Sequence, residues 1–177
     1  MNIKGFRLHI IIAVALISIL LFFAGKYCYQ RYLVLEPLLK QVRAIEGVRD
    51  VQVSSLGGGR LFLVSLGDVE DLVDIYGKID GQLAEVFEEQ SYALHLLDAR
   101  NEKLEEVYHS IHFAIYEAID RGNFTHLADV VAKQALANGM GKYRVTVDGE
   151  RVYLQLHLGE AYLYEIVPRG EPGKGGG

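Results

Sequence analysis

The 177-residue chain has one cysteine, Cys28, which excludes an intrachain disulfide and any multi-cysteine metal site. Blocks of like charge are absent, and so is a basic stripe with interleaved aromatics. With a net charge of −5, nucleic acid is not an expected partner. No repeat of the kind that builds solenoids occurs. No catalytic motif stands out either: Ser55, Ser65 and Ser91 lack the sharp turn that exposes a serine nucleophile. The chain is not expected to be an enzyme, and no cofactor is expected. What it does have is apolar surface. Half of its residues are hydrophobic, with 11 Tyr and 7 Phe, enough to build a packed core and to argue against a disordered chain.

The apolar residues are unevenly spread. Residues 9–25, HIIIAVALISILLFFAG, hold one ionisable side chain, His9. A helix over 8–25 would rise roughly 27 Å, close to the hydrocarbon thickness of a bilayer. Tyr27 and Tyr29 follow as an aromatic interfacial belt. A signal peptide would carry a shorter apolar core and a small-x-small cleavage site, and FFAGKYCYQ offers none. A core helix is disfavoured because the run is apolar on every face. The expectation is a retained transmembrane helix over 8–25, with Ile10, Ile11, Ile12, Leu16, Ile17, Leu20, Leu21, Phe22 and Phe23 in contact with lipid. Lys4 and Arg7 flank one side and Lys26 and Arg31 the other, a near tie for the positive-inside count. A short tail over 1–7 stays in the cytoplasm more easily than a long domain, so the soluble part is expected outside it. Cys28 then lies at the membrane edge, where it either cross-links two anchors or, the favoured reading, is an inert boundary thiol.

Beyond a stem over 26–34, LEPLLKQVRAIEGV predicts a short helix, with Pro37 in its first turn and Gly47 to stop it. RDVQVSSL alternates as a strand does. Gly57–Gly59 make a turn, and RLFLVSL, apolar on both faces, reads as a central strand. Val69, Leu72, Val73, Tyr76, Ile79, Leu83, Val86 and Phe87 form the stripe of an amphipathic helix, and YALHLLDA is a third strand. This first module, 35–98, is thus α-β-β-α-β. The second, 99–169, opens with a helix over about 101–121 and another over THLADVVAKQALANG, capped by Thr125 or Asn123. YRVTV and RVYLQLHL flank the hairpin signal Asp148-Gly149, and AYLYEIV returns after Gly159-Glu160, giving α-α-β-β-β. Residues 170–177 form a flexible tail. The fold class expected is α+β. The two modules pack as one domain, joining their strands into one sheet with helices on one side.

Candidate chemistry is thin. Gly57–Arg60 has the composition of a phosphate loop, but a strand follows where a helix should open, and a hairpin turn is favoured. His109 and His112, near Glu105 and Glu106, have a spacing that can hold a metal, yet no third ligand is evident; they read as a polar boundary pair and no metal is expected. Asp68, Glu70, Asp71 and Asp74 cluster where acids favour a helix dipole. The interaction candidates are aromatic. Phe113 and Tyr116, next to His109, lie opposite the apolar stripe of their helix, so that face is either buried within the chain or meets a neighbour. Tyr153, Tyr162 and Tyr164 stand at alternating strand positions, either as ladders on a covered face or as an exposed docking patch.

LEPLLKQVRAIEGVRDVQVSSL resembles the opening of ring-building-motif domains, which occur in membrane-anchored proteins of bacterial secretion systems, the flagellar basal body and the sporulation channel. The likeness covers about residues 35–98 and rests on the short helix, the IEGV turn at Ile45–Val48 and the strand with Val51 and Val53. It implies homo-oligomeric contacts on the helix around Leu72–Phe87 and on the strand around Arg60–Leu66. The function expected is a single-pass, membrane-anchored protein-interaction or scaffold component of a bacterial cell-envelope assembly. Its partners would be the lipid bilayer and other proteins, a second copy of the chain among them. The alternative is a membrane-tethered sensor holding a small ligand near His95, His112 or His157.

Overall fold

The structure, a computed structural model, describes residues 8–56, 59–87 and 92–170, and the side chains of these except 8–10, 27–28, 30–32 and 56. The tails at 1–7 and 171–177, Gly57, Gly58 and Ser91, and the side chains of Ile10, Tyr27 and Cys28, lie outside the described residues. The chain divides after Val42 into two compact units.

The first unit is helical. Helix α1 is Leu8–Cys28, and a π-helical segment, Tyr29–Leu35, leads into α2, Glu36–Arg43. The segment 26–34, expected as a stem, is helical. Pro37 gives a physical reason for the widened turn. It has no N–H for the carbonyl four residues earlier, at Leu33, and its ring crowds that carbonyl. The run expected to cross a bilayer lies within α1. Its described side chains begin at residue 11 and end at 26, and among the described residues no helix is long and apolar enough to cross a membrane.

The second unit is mixed α and β. Strands β1 (Val48–Leu56) and β2 (Gly59–Leu66) pair antiparallel, and β3 (Tyr92–Leu97) pairs parallel to β2. Helix α3 (Leu72–Ala84) connects β2 towards β3; Asp71 caps it, its carboxylate accepting the N–H of Asp74 at 3.1 Å. Helices α4 (Glu102–Arg121) and α5 (Phe124–Ala137) follow, capped by Asn101 and Asn123, so the cap of α5 is Asn123 rather than Thr125. Gly122 ends α4 with φ +69°, where a side chain would be strained. The chain closes with an antiparallel meander, β4 (Lys142–Val147), β5 (Arg151–Leu158) and β6 (Ala161–Pro168).

The element order within each module is the expected one, but the sheets do not merge. The order is β1-β2-β3 in one and β4-β5-β6 in the other, and among the described residues one bridge, Ala99 to Tyr162, joins them. Side chains explain the break. Beyond the bridge, the Asp98 carboxylate accepts the N–H of Tyr164 at 2.8 Å, and Arg100 donates to the Tyr164 carbonyl at 3.3 Å. Both backbone groups that a neighbouring strand would need are already met.

Nor do the helices keep to one side. Val152, Leu154 and Leu156 of β5 pack with Ile111 and Ile115 of α4 and Leu127 and Val131 of α5. The alternate residues Tyr153, Gln155 and His157 face the other way and are also buried. There α3 and the β2–α3 loop cover them: Tyr76 meets Tyr153 edge to face, with ring centroids 5.9 Å apart.

Candidate functional site

On α4 the core-facing residues Leu104, Val107, Ile111, Ile115 and Ala118 are buried. At 100° per residue, Phe113 points directly away from them, with His109, Tyr116 and Asp120 beside it and His112 at the edge. Phe113 is 76% exposed and Tyr116 54%. Within the second unit, the described residues leave this second apolar face of the helix uncovered. The rings on it touch one another: His112 lies 4.3 Å from Phe113 and 5.5 Å from Tyr116, centroid to centroid, and 6.1 Å from Tyr108. His109 and His112 have carboxylates nearby in sequence, but among the described residues no group of three or more metal-ligating side chains converges.

The three strand tyrosines sit elsewhere, and they are buried rather than displayed. Tyr162 and Tyr164 stack with centroids 5.2 Å apart. The Tyr162 hydroxyl donates to the Leu66 carbonyl at 3.0 Å, and the Tyr164 hydroxyl donates to that of Gly67 at 3.0 Å while accepting the Val69 N–H at 2.8 Å. Gln155 completes the seam, accepting from Leu72 N–H and donating to the Val69 carbonyl, each at 3.2 Å. The β2–α3 loop is therefore fastened to β5 and β6 by side-chain groups. Burial pushes the Tyr164 hydroxyl well above its ordinary pKa. Tyr153 is raised for the same reason, helped by its hydrogen bond to Asp148.

His157 belongs to this seam. Its Nδ1 lies 3.2 Å from the Asp68 carboxylate, which Lys142 also reaches at 3.3 Å. Its Nε2 is buried and, among the described residues, has no hydrogen-bond partner. Burial pulls the imidazole below its ordinary pKa; Asp68 opposes this and Lys142 adds to it. Sequence reasoning missed Gln155 and the part played by His157. Their signal lies in RVYLQLHL, where Tyr, Gln and His alternate with aliphatic residues and mark a second, polar but covered face.

Among the cavities on the described surface of the second unit, two adjoin histidines or the acidic cluster singled out above. One, of about 240 Å³, is bounded by β3 and β6 and lined by Tyr76, His95, Arg100 and Arg151. Both guanidinium groups already hold carboxylates: Arg100 pairs with Asp98 at 2.8 Å and Glu165 at 3.4 Å, Arg151 with Glu150 at 2.6 Å and Asp80 at 3.4 Å. The other, of about 620 Å³, runs past Asp68, Glu70, Asp71 and Asp74. Lys142, Arg144 and Lys78 pair with three of those four acids. Among the described residues His95, His112 and His157 have separate surroundings: His95 lines the cavity by β3 and β6, His112 lies against Phe113, and His157 against Asp68.

No protein-family model, no curated protein and no solved structure matches this chain. Of the two surfaces that the ring-building likeness implies, β2 is the central strand, with Phe62, Val64 and Leu66 buried, and α3 has Leu72, Ile79 and Leu83 buried. Gly59 opens a strand and not a helix, while Gly57 and Gly58 of the expected turn lie outside the described residues. Ser55 is exposed and Ser65 half-buried, each within a strand.

Proposed function

We propose that this chain is a single-pass, membrane-anchored component of a bacterial cell-envelope assembly, whose α+β unit stands outside the cytoplasm and binds protein partners. One observation carries the reading. Leu20, Leu21, Phe22 and Phe23 are four consecutive residues of α1, 63–69% exposed, and consecutive residues on a helix point a full turn around it. Among the described residues of the first unit, none covers a side of this stretch of the helix. In water each such side chain forgoes about 1.5–3 kcal/mol of burial, and lipid removes that penalty. Residues 8–25 would be the spanning run, with the tail at 1–7 inside. The outward aromatic rings of α4 support protein binding, because an exposed apolar stripe on a helix is surface left for another molecule. The element order α2-β1-β2-α3-β3 supports the ring-building likeness, and with it contacts between copies of the chain.

Fractionation of native membranes tests this. The full chain should stay with the membrane through alkaline and high-salt washes and should crosslink to protein there. Recovery in the soluble fraction after gentle lysis, with residues 8–25 still attached, would defeat it.

The cavity beside His95 favours a second reading, a tethered small-ligand sensor. Any anionic ligand there must first displace carboxylates from Arg100 or Arg151, which weighs against it.

A further inference from the structure

The outer face of α4 is not evenly charged. His109, His112, Phe113 and Tyr116 form its middle, and carboxylates close both ends: Glu102 and Glu105 one to two turns before the rings, Asp120 one turn after. Glu106 and Glu117, further round the helix, hold Lys103 and Arg121 at 3.2 and 2.5 Å. Among the described residues Glu105 and Asp120 hold no cation. The face is an exposed aromatic strip with an unpaired negative charge at each end.

That pattern selects among occupants. If a second copy docked antiparallel about His112 and Phe113, Glu105 of each chain would meet Asp120 of the other. If the copies ran parallel, each carboxylate would face its own counterpart. Either way like charges are opposed next to an apolar contact, where they are costly. Anionic lipid headgroups would be repelled in the same way. A helix with its own apolar stripe and Lys or Arg at both ends meets every feature: apolar side chains cover Phe113 and Tyr116, and the basic ends reach Glu105 and Asp120. Cations near the exposed rings add a further attraction.

Resting on the protein-binding reading above, we infer that the α4 face is the docking surface, and that its occupant is an amphipathic helix of a different protein with basic residues flanking its apolar stripe. The docked pair follows helix-on-helix packing, with Phe113 as the central anchor.

The test is photo-crosslinking from position 113 of the full chain in native membranes, with benzoylphenylalanine replacing Phe113 and the adduct sequenced by mass spectrometry. The expected adduct is a segment of another protein whose apolar residues recur at i, i+3, i+4 and i+7 between Lys or Arg residues. Its yield should fall at least tenfold in the E105K/D120K double variant. Because both positions are exposed, the variant should fold as the parent does, which circular dichroism and thermal melting check. An adduct with a second copy, with lipid or with a segment lacking basic ends overturns the inference, and so does a yield that charge reversal leaves unchanged. A parallel probe at the exposed Gln52 on β1 separates the two levels. A partner caught at 52 but not at 113 overturns the α4 inference and leaves the interaction reading standing. Capture at neither overturns both.

Discussion

Tyr164 and Gly67 are 97 residues apart in the chain, yet the hydroxyl of one donates to the carbonyl of the other at 3.0 Å, in a buried seam where the same hydroxyl accepts the Val69 N–H at 2.8 Å. The β2–α3 loop thereby lends its backbone groups to side chains of β5 and β6. In Tyr164→Phe the ring still fits but the Gly67 carbonyl and the Val69 N–H lose their partner without regaining water. Each unmet group costs about 1–3 kcal/mol. Urea denaturation of the full chain in neutral detergent should show a loss in that range or above, and an unchanged midpoint would mean that the loop is not held there.

His157 makes stability depend on pH. Its pKa in the folded state lies below the ordinary value of 6.5, chiefly because it is buried. Above that value the imidazole is neutral in both states and contributes no pH dependence. As pH falls from 6.5 towards the folded-state pKa, the unfolded chain takes up the proton first, and stability is lost. The native stability of the parent chain should therefore fall between pH 7.5 and pH 5 by more than that of His157→Leu. Equal slopes would place His157 in contact with solvent.

Gly47 tests the turn between α2 and β1. Its φ is +92°, and a Cβ there would meet Val69 Cγ1 at 2.6 Å and Ile75 Cδ1 at 3.1 Å. Gly47→Ala adds a strained backbone to a steric clash, and both act in the same direction. The variant should lose more than about 1 kcal/mol. Gly77→Ala, where a Cβ meets nothing within 4 Å, should be neutral or stabilising.

The two faces of α4 should respond in opposite ways. Ile111 is fully buried between the helix and β5, so Ile111→Ala removes packed methylenes and should cost about 2–5 kcal/mol. Phe113→Ala deletes a larger side chain from an exposed position and should change stability by no more than about 0.5 kcal/mol. A large loss at 113 would mean that the ring is packed in the free chain.

Elements were legible wherever a local rule decides them. The stripe Leu104, Val107, Ile111, Ile115 put α4 in place because burial on one face repeats every 3.6 residues. Asp148-Gly149 marked the β4–β5 hairpin because the Asp148 carboxylate can accept the N–H groups of Glu150 and Arg151, at 2.8 and 2.7 Å. The interaction candidates were legible only as a pair of alternatives. Periodicity tells which residues share a face, and not whether that face is covered. Phe113 and Tyr116 proved exposed while Tyr153, Tyr162 and Tyr164 proved buried, although all five looked alike in the chain.

What the residues alone determine here is local: the long apolar run at 9–25, the α-β-β-α-β then α-α-β-β-β order and the caps and turns that separate the elements. Each follows from interactions within a few positions. The separation of the strands into two sheets, the burial of β5 on both faces and the freedom of the outer face of α4 were decided only in three dimensions. Asp98 and Arg100 close the edge of β6 at Tyr164, and β6 in turn holds the β2–α3 loop. Partners that far apart in sequence leave no periodic trace, because what selects them is the unmet hydrogen-bonding capacity of groups that meet only after the chain has folded.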